Sequence, residues 1–159
     1  CGVAILLKNN KSINLRVLEV NARYIVLNYG SYHIMVVYVP NGFSDYANSE
    51  SKIKFFQFLQ AKGLEYPNLI VGGDFNITPH IAYSTMGDPF PASERVQLGA
   101  LFTHLKFIEF EHHLPLTWWD YRMNSFERNL GYCLDFFVVS QNLYGKHSAL
   151  TILKSYRLL

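Results

Sequence analysis

The run Asn68–Gly73, "NLIVGG", constrains this chain more than any other stretch: it is nearly all apolar, too short for a helix, and preceded by Pro67. Such a run reads as a β-strand buried on both faces, and such a strand belongs in the middle of a sheet with other layers covering it. Half of the 159 residues are hydrophobic, enough for a core of ordinary size. One globular domain over residues 1–159 is therefore expected.

Upstream, "GVAILL", "INLRVLEV", "RYIVLNYG" and "YHIMVVYVP" are apolar, β-branched and aromatic runs that read as strands. "KNNKS", "NA" and "YGS" separate them by gaps short enough for hairpins, which predicts antiparallel pairing. The period then changes. In "SKIKFFQFLQAKGLEY", Ile53, Phe56 and Leu59 recur at three-residue spacing beside Phe55 and Phe58, which predicts a helix with one buried face. A second helix, capped by Ser93, is predicted from Val96, Leu98, Leu101, Phe102 and Leu105. "CLDFFVVS" and "SALTILKSY" read as closing strands around a turn at "NLYGKH". The fold class is α/β: a mixed sheet with helices packed on it.

Composition removes several functions. A net charge of +2, from 14 basic and 12 acidic side chains, is too small to mark nucleic-acid binding by itself. Cys1 and Cys133 show no CxxC spacing, which argues against structural zinc and favours a reducing compartment. No apolar run approaches the roughly 20 residues needed to cross a bilayer, and no signal peptide is visible. His33, His80, His104 and His147 lack ligand-like spacing; the adjacent His112 and His113 point apart on an extended chain. The lysines, "KIK" included, read as an ordinary solvated face.

Four places carry candidate chemistry. Asp74 follows the central strand at its C-terminal end, where open α/β sheets place ligand sites. With "GDFN" extended, Asp74 and Asn76 share one side and Phe75 faces the other. A shielded carboxylate can act as base or metal ligand, and an amide can orient water or a phosphate oxygen; an Asx-turn or helix cap explains the same residues. In "VYVPNGFSD", Tyr38 and Asn41 could donate to a phosphate, or could be packing and a turn. In "LTWWDYRMNSFERNLGYCLDFFVVS", two Trp and two Tyr could stack on bases or enclose a sugar while Arg122, Arg128 and Asn129 hold phosphates, although aromatic clusters also build cores. Asp135, an acid opening an apolar strand, needs a partner: a histidine to orient, a salt bridge, or a backbone group.

In this order, "GVAIL", "YVPNG", the Phe-rich helix, "LIVGGDFNITP", "SER", "TWWDYR" and "NLGYCLDFFVVS" resemble the endonuclease/exonuclease/phosphatase family, in particular exonuclease III and the abasic-site endonucleases. The resemblance implies a DNase I-like two-layer β-sandwich flanked by helices (α/β/β/α), incomplete in this chain. It implies a Mg²⁺- or Mn²⁺-dependent phosphodiesterase that cuts double-stranded DNA 5′ to abasic sites and trims 3′ ends. On that resemblance Asp74 activates the attacking water, Asn76 holds that water or the phosphate, and either touches metal. Tyr38 contacts the scissile phosphate and Asn41 the DNA. Trp118, Tyr132 and Leu134 form the pocket for a flipped-out abasic sugar, and Asp135 orients a catalytic histidine.

Relatives carry an early Asn and a metal-binding Glu before the segment where this chain begins, and a Ser-Asp-His motif after it ends. The expectation is thus a fragment, truncated at both ends, with little activity alone. Cys133 stands where relatives commonly have Arg, which would weaken a DNA contact; Glu109 and His112 also depart, and the segment after Pro79 is short. "TWWDYR" resembles the bacterial branch, so a cytoplasmic monomer is expected. Two alternatives stand beside this reading: a phosphatase of the same fold acting on a small phosphoester, and a non-catalytic DNA-binding remnant.

Overall fold

The computed structural model describes residues 2–6, 15–42, 46–111, 115–122 and 124–146. In chain order the elements are β1 (Leu15–Asn21), β2 (Tyr24–Tyr29), β3 (Tyr32–Tyr38), α1 (Tyr46–Glu65), β4 (Leu69–Asp74), α2 (Ala92–His104), β5 (Leu105–Phe107), β6 (Trp118–Trp119), β7 (Gly131–Tyr132) and β8 (Asp135–Ser140), with a 3₁₀ turn at Ile81–Tyr83. Six strands form one sheet in the order β1-β2-β3-β4-β8-β5, and β6 pairs with β7 in a separate ribbon.

The first three strands are the predicted antiparallel meander. Gly30 opens the two-residue turn between β2 and β3 at φ +60°, a conformation that a hairpin turn needs and glycine adopts freely. β3 then pairs parallel with β4, and the crossover that such pairing requires is α1. Antiparallel β8 closes the other side of β4, placing the apolar run between two neighbours as expected.

Both helices lie on one face. Phe56 and Leu59 of α1 and Leu98 and Leu101 of α2 pack with Val26, Met35, Val37, Val71, Phe136 and Val138 in one cluster. Each such fully buried side chain contributes roughly 1.5–3 kcal/mol. On the other face Phe137 lies over Gly72, where a Cβ would fall 2.4 Å from the ring and the ring would have to move. Phe137 is itself 43 % exposed. β4 is thus fully buried on the helix face and only partly on the other, short of the two-sided burial its composition predicts.

Other expectations need correcting. Gly2–Leu6 forms no strand; without a ladder partner among the described residues, this apolar run leaves Leu6 exposed. Ser93 does not cap α2. Pro91 does, its carbonyl accepting from the amides of Glu94 and Arg95, so Ser93 already lies inside the first turn. Val96 faces solvent, and Leu105 has already left the helix for β5. Lys52 of "KIK" is wholly buried rather than solvated. The predicted strand "SALTILKSY", with His112, His113 and His147, lies outside the described residues.

Candidate active site

Cross-strand register assembles the polar core of the site. Tyr38, the last residue of β3, pairs with Asp74, the last of β4, and Asp74 pairs with Asp135, the first of β8. Residues paired across a ladder share a face with Cβ atoms about 4.5–5.5 Å apart, so the three side chains form a row at one end of the sheet. Phe136 and Val138 belong to the helix-side cluster. Alternation along β8 therefore sends Asp135, and with it the whole row, to the face opposite the helices.

Backbone bonds lock the row. The Val39 amide donates to the Asp74 carbonyl and the Phe75 amide to the Leu134 carbonyl, each at 2.8 Å, joining the three strand ends. Gly73 sits at φ +144°, and a Cβ there would fall 2.1 Å from the Val37 carbonyl oxygen. β3 and β4 come that close only because position 73 is glycine.

"GDFN" takes both conformations considered from its sequence. Phe75 turns inward and stacks on Phe136 at 3.9 Å, leaving Asp74 and Asn76 to the cleft side. At the same time the Asn76 amide donates to Asp74 Oδ1 at 2.7 Å, an Asx-turn, with Asn76 left-handed at φ +52°. Asn76 Nδ2 donates to the Val39 carbonyl at 2.8 Å, so Oδ1 is the amide atom left for the cleft.

Burial pushes the Asp74 carboxyl up to about 6; the Asn76 amide opposes the shift, the neighbouring Asp135 charge adds to it, and Lys52 draws it back. Asp135 is also raised by burial, against a hydrogen bond from Thr117. Thr117 Oγ1 accepts from the Leu134 and Asp135 amides, each at 3.0 Å. It fixes the entry to β8, and sequence reasoning missed it because a lone Thr in a connector carries no periodic signal.

Beside the row opens a cavity of about 400 Å³, and Asn41, Asn76, Trp118, Arg122, Tyr132 and Leu134 all line it. Met86, Phe90 and Asp120, not singled out from sequence, complete its wall. The β6–β7 ladder sets Trp118 opposite Tyr132, with ring centroids 5.8 Å apart. Phe90 meets Tyr132 edge-on at 5.7 Å. Arg122 sits at the rim in a bidentate pair with Asp120.

Of the predicted residues, Tyr38, Asp74, Arg128, Asn129 and Asp135 do not line this cavity. Tyr38 stands at the far end of the row, its ring 5.4 Å from the Arg23 guanidinium. Asn129 is exposed at φ +53°, and its carbonyl accepts from Thr85 Oγ1, so it serves a turn and does not line the cavity. Cys133 is fully buried, with its thiol pushed up to about 12, first by burial. A wholly buried Cys133 offers no side chain to the surface for a DNA contact. A larger hollow of about 810 Å³ by Tyr83, Phe107 and Glu109 holds none of the predicted residues.

No group of three or more His, Cys, Asp or Glu that could hold a metal ion occurs among the described residues. What faces the cleft is the half-buried Asp74 carboxylate, the more exposed Asp135 carboxylate beside it and one amide oxygen. Hard oxygen donors in that number suit Mg²⁺, which takes one or two carboxylates plus substrate phosphate and keeps several waters. A cation there would also relieve the repulsion between Asp74 and Asp135. The donor set therefore fits a divalent metal.

In both sequence and fold the chain is similar to characterised proteins. It is 27 % identical over 139 residues to an exodeoxyribonuclease of Bacillus subtilis, a match spanning 76 % of this chain and 54 % of that protein. It is 29 % identical over 140 residues to recombination repair protein 1 of Drosophila melanogaster, spanning 78 % and 20 %. Among solved structures, it superposes on a 3′ phosphatase from Neisseria bound to a product DNA hairpin with a TM-score of 0.64 at 22 % identity, covering 84 % of this chain and 59 % of that one. An AP endonuclease from Archaeoglobus fulgidus gives 0.65 at 18 %, covering 83 % and 59 %. The fold is thus the DNase I-like α/β class expected from sequence. The chain spans little more than half of the Bacillus relative and of these structures. A family profile matches residues 2–154, and by that match the chain belongs to the endonuclease/exonuclease/phosphatase family.

Proposed function

We propose that this chain supplies the phosphodiester-cleaving floor of a DNA-repair nuclease of the exonuclease III or AP-endonuclease type, cutting 5′ to abasic sites and trimming 3′ ends with Mg²⁺ or Mn²⁺. The observation that carries the reading is the in-register row Tyr38–Asp74–Asp135 beside an aromatic-walled cavity of about 400 Å³. The Bacillus exodeoxyribonuclease and the Neisseria phosphatase bound to a DNA hairpin support DNA as the substrate.

In-line displacement at phosphorus needs an oriented water, a base, and charge stabilisation on the phosphate. Asp74, with its pKa near 6, is ionised at neutral pH yet still basic enough to take a proton from water. Asn76 Oδ1 accepts the water's second hydrogen and fixes its direction of attack. The Tyr38 hydroxyl donates to a non-bridging phosphate oxygen. Asp135 orients a histidine supplied elsewhere in the protein. A divalent ion held by Asp74 and Asn76 would neutralise charge building on the phosphate. Trp118, Tyr132 and Leu134 receive the sugar, and an abasic one costs least to extrude because it has no base to unstack. Asn41, Arg122 and Asn129 contact the flanking DNA. The enzyme acts as a monomer in the cytoplasm, a reducing compartment that its sparse cysteines favour.

The test is to incubate the product of the full open reading frame with an abasic-site duplex and Mg²⁺. Incision 5′ to the lesion, abolished by EDTA, is expected. Turnover of a soluble phosphoester with the duplex left intact would move the function to a small-molecule phosphatase, and duplex binding without incision would leave only a DNA-binding remnant.

A further inference from the structure

Two charges are buried beneath the site, and the chemistry above touches them only through the pull of Lys52 on the Asp74 carboxyl. Lys52 of α1 and Glu94 in the first turn of α2 are both 0 % exposed, and Lys52 Nζ donates to Glu94 Oε2 at 2.8 Å. Ser49 Oγ donates to Glu94 Oε1 at 2.8 Å. Stability alone does not explain such a pair, since two well-packed apolar side chains of the same volume commonly serve as well or better. What an apolar pair cannot do is donate a hydrogen bond, and Lys52 makes one more: to the Asn76 carbonyl oxygen, at 2.8 Å.

We propose that Lys52 and Glu94 are positioning residues that hold the Asp74–Asn76 turn, and the loop after β3, in the geometry hydrolysis needs; the proposal rests on the function inferred above. Asn76 occupies the left-handed region, which asparagine adopts more readily than other non-glycine residues, so what distinguishes this turn is how its polar groups are tied down. Its amide, side-chain NH₂ and carbonyl are committed to Asp74, Val39 and Lys52 respectively, leaving Oδ1 for the cleft. The Lys52 bond is the one of the three that reaches this turn from a helix.

Glu94 grips the neighbouring loop. A Cβ at Gly42 would fall 1.9 Å from Glu94 Oε1, so the backbone next to Asn41 lies directly against the carboxylate. The next residue, Arg95, donates to the Thr78 carbonyl and, at 2.7 Å, to Thr78 Oγ1; it also donates from Nε to Asp88 Oδ2 at 2.9 Å. Lys52 Nζ and the Arg95 guanidinium lie 5.5 and 5.0 Å from the ring of the cavity-wall residue Phe90. Consecutive residues of "SER" thus hold both ends of the loop that carries Asn76, one of them through Lys52.

The test compares three forms of the full-length protein. Lys52→Met leaves Glu94 buried and unpaired, and is expected to lose both stability and turnover. Lys52→Met/Glu94→Leu removes both charges, and Lys52→Met/Glu94→Gln is the second arm should Leu overpack. In a double variant, the thermal midpoint is expected to return to within about 5 °C of wild type and duplex Kd to stay within about threefold. The kcat is expected to stay about 10- to 100-fold low, the scale that misplacing a reacting group costs. Asn76 amide hydrogen exchange, about as slow as in β4 in the wild type, is expected to quicken at least about tenfold.

A double variant with wild-type kcat and unchanged Asn76 exchange would overturn the proposal. So would a wild-type Asn76 amide that exchanges at an open-loop rate, whatever the variants do. If the wild type fails to incise DNA, the functional reading falls instead, and Asn76 exchange still decides whether the pair holds the turn.

Discussion

The floor of the cleft and its aromatic wall are built by different means. Tyr38, Asp74 and Asp135 each have a ladder partner one strand away, in a sheet whose strands are braced from below by α1 and α2. Trp118 belongs to a ribbon with two paired positions, and the segment that follows is held by local bonds such as Arg122 to Asp120 and Leu130 to Ser125. Trp118 is 41 % exposed and Tyr121 95 %, whereas Phe75, beneath the floor, is fully buried. On the function proposed here, the groups assigned to the chemistry are set by non-local backbone register, and those assigned to recognition sit on loops that can vary without disturbing it.

The sharpest way to break this contrast is to combine substitutions. Asp74→Asn and Tyr38→Phe, acting on one reacting phosphate, are expected to be strongly non-additive in kcat: the double variant should be little worse than Asp74→Asn, itself down about 10³-fold or more. Asp74→Asn with Trp118→Ala should instead multiply. Additive floor substitutions would show that the row does not act as a unit.

Next in size is stability. Lys52→Met alone is expected to cost about 3–5 kcal/mol in urea denaturation because it strands a buried carboxylate. No wall substitution should approach that; Trp118→Ala should leave unfolding nearly unchanged while weakening abasic-duplex binding by about 1–3 kcal/mol, the scale of one lost stacking surface.

Asp74 also gives a pH signature. The folded carboxyl keeps its proton up to about pH 6, while the unfolded chain releases it near 3.8. The folded state therefore binds more protons between these values, and stability falls as pH rises from about 4 to about 6 and stays lower above. In metal-free buffer at pH 7.5, Asp74→Asn is expected to be more stable than wild type by roughly 1–2 kcal/mol, a value discounted for the exposed part of the carboxylate. Adding Mg²⁺ should raise the wild-type midpoint and leave that of Asp74→Asn almost unmoved. An Asp74→Asn variant no more stable than wild type at pH 7.5, with equal midpoints at pH 4, would contradict the burial of this acid.

The smallest effect belongs to the rim. Arg122→Ala should weaken duplex binding about two- to fivefold and lower the salt slope by about one, without altering kcat.

The contrast also explains what could be read from the chain. Strands β1 to β4 and both helices are written in local periodicity and turn chemistry, and the polar cleft residues in short motifs. The row itself is not: that Tyr38, Asp74 and Asp135 align depends on a parallel and an antiparallel pairing between distant segments, which no periodicity specifies. The Lys52–Glu94 pair does leave a trace. Lys52, Phe56 and Leu59 fall on one helical stripe, and Glu94, Leu98 and Leu101 on another, so each charge stands where an apolar residue belongs. Opposite charges interrupting two buried stripes are the signature of a pair. The misplaced cap had no such signal: Ser is the better N-cap by residue type, yet the helix starts one residue before Ser93.

The most direct measurement of the central claim is single-turnover incision of an abasic-site duplex by the full-length protein and its Asp74→Asn variant, with enzyme in excess and Mg²⁺ saturating. A rate at least about 10³-fold slower in Asp74→Asn, with duplex binding within about threefold of wild type, is the expected result. Equal rates in the two proteins would show that the acid at the end of β4 does not drive the chemistry.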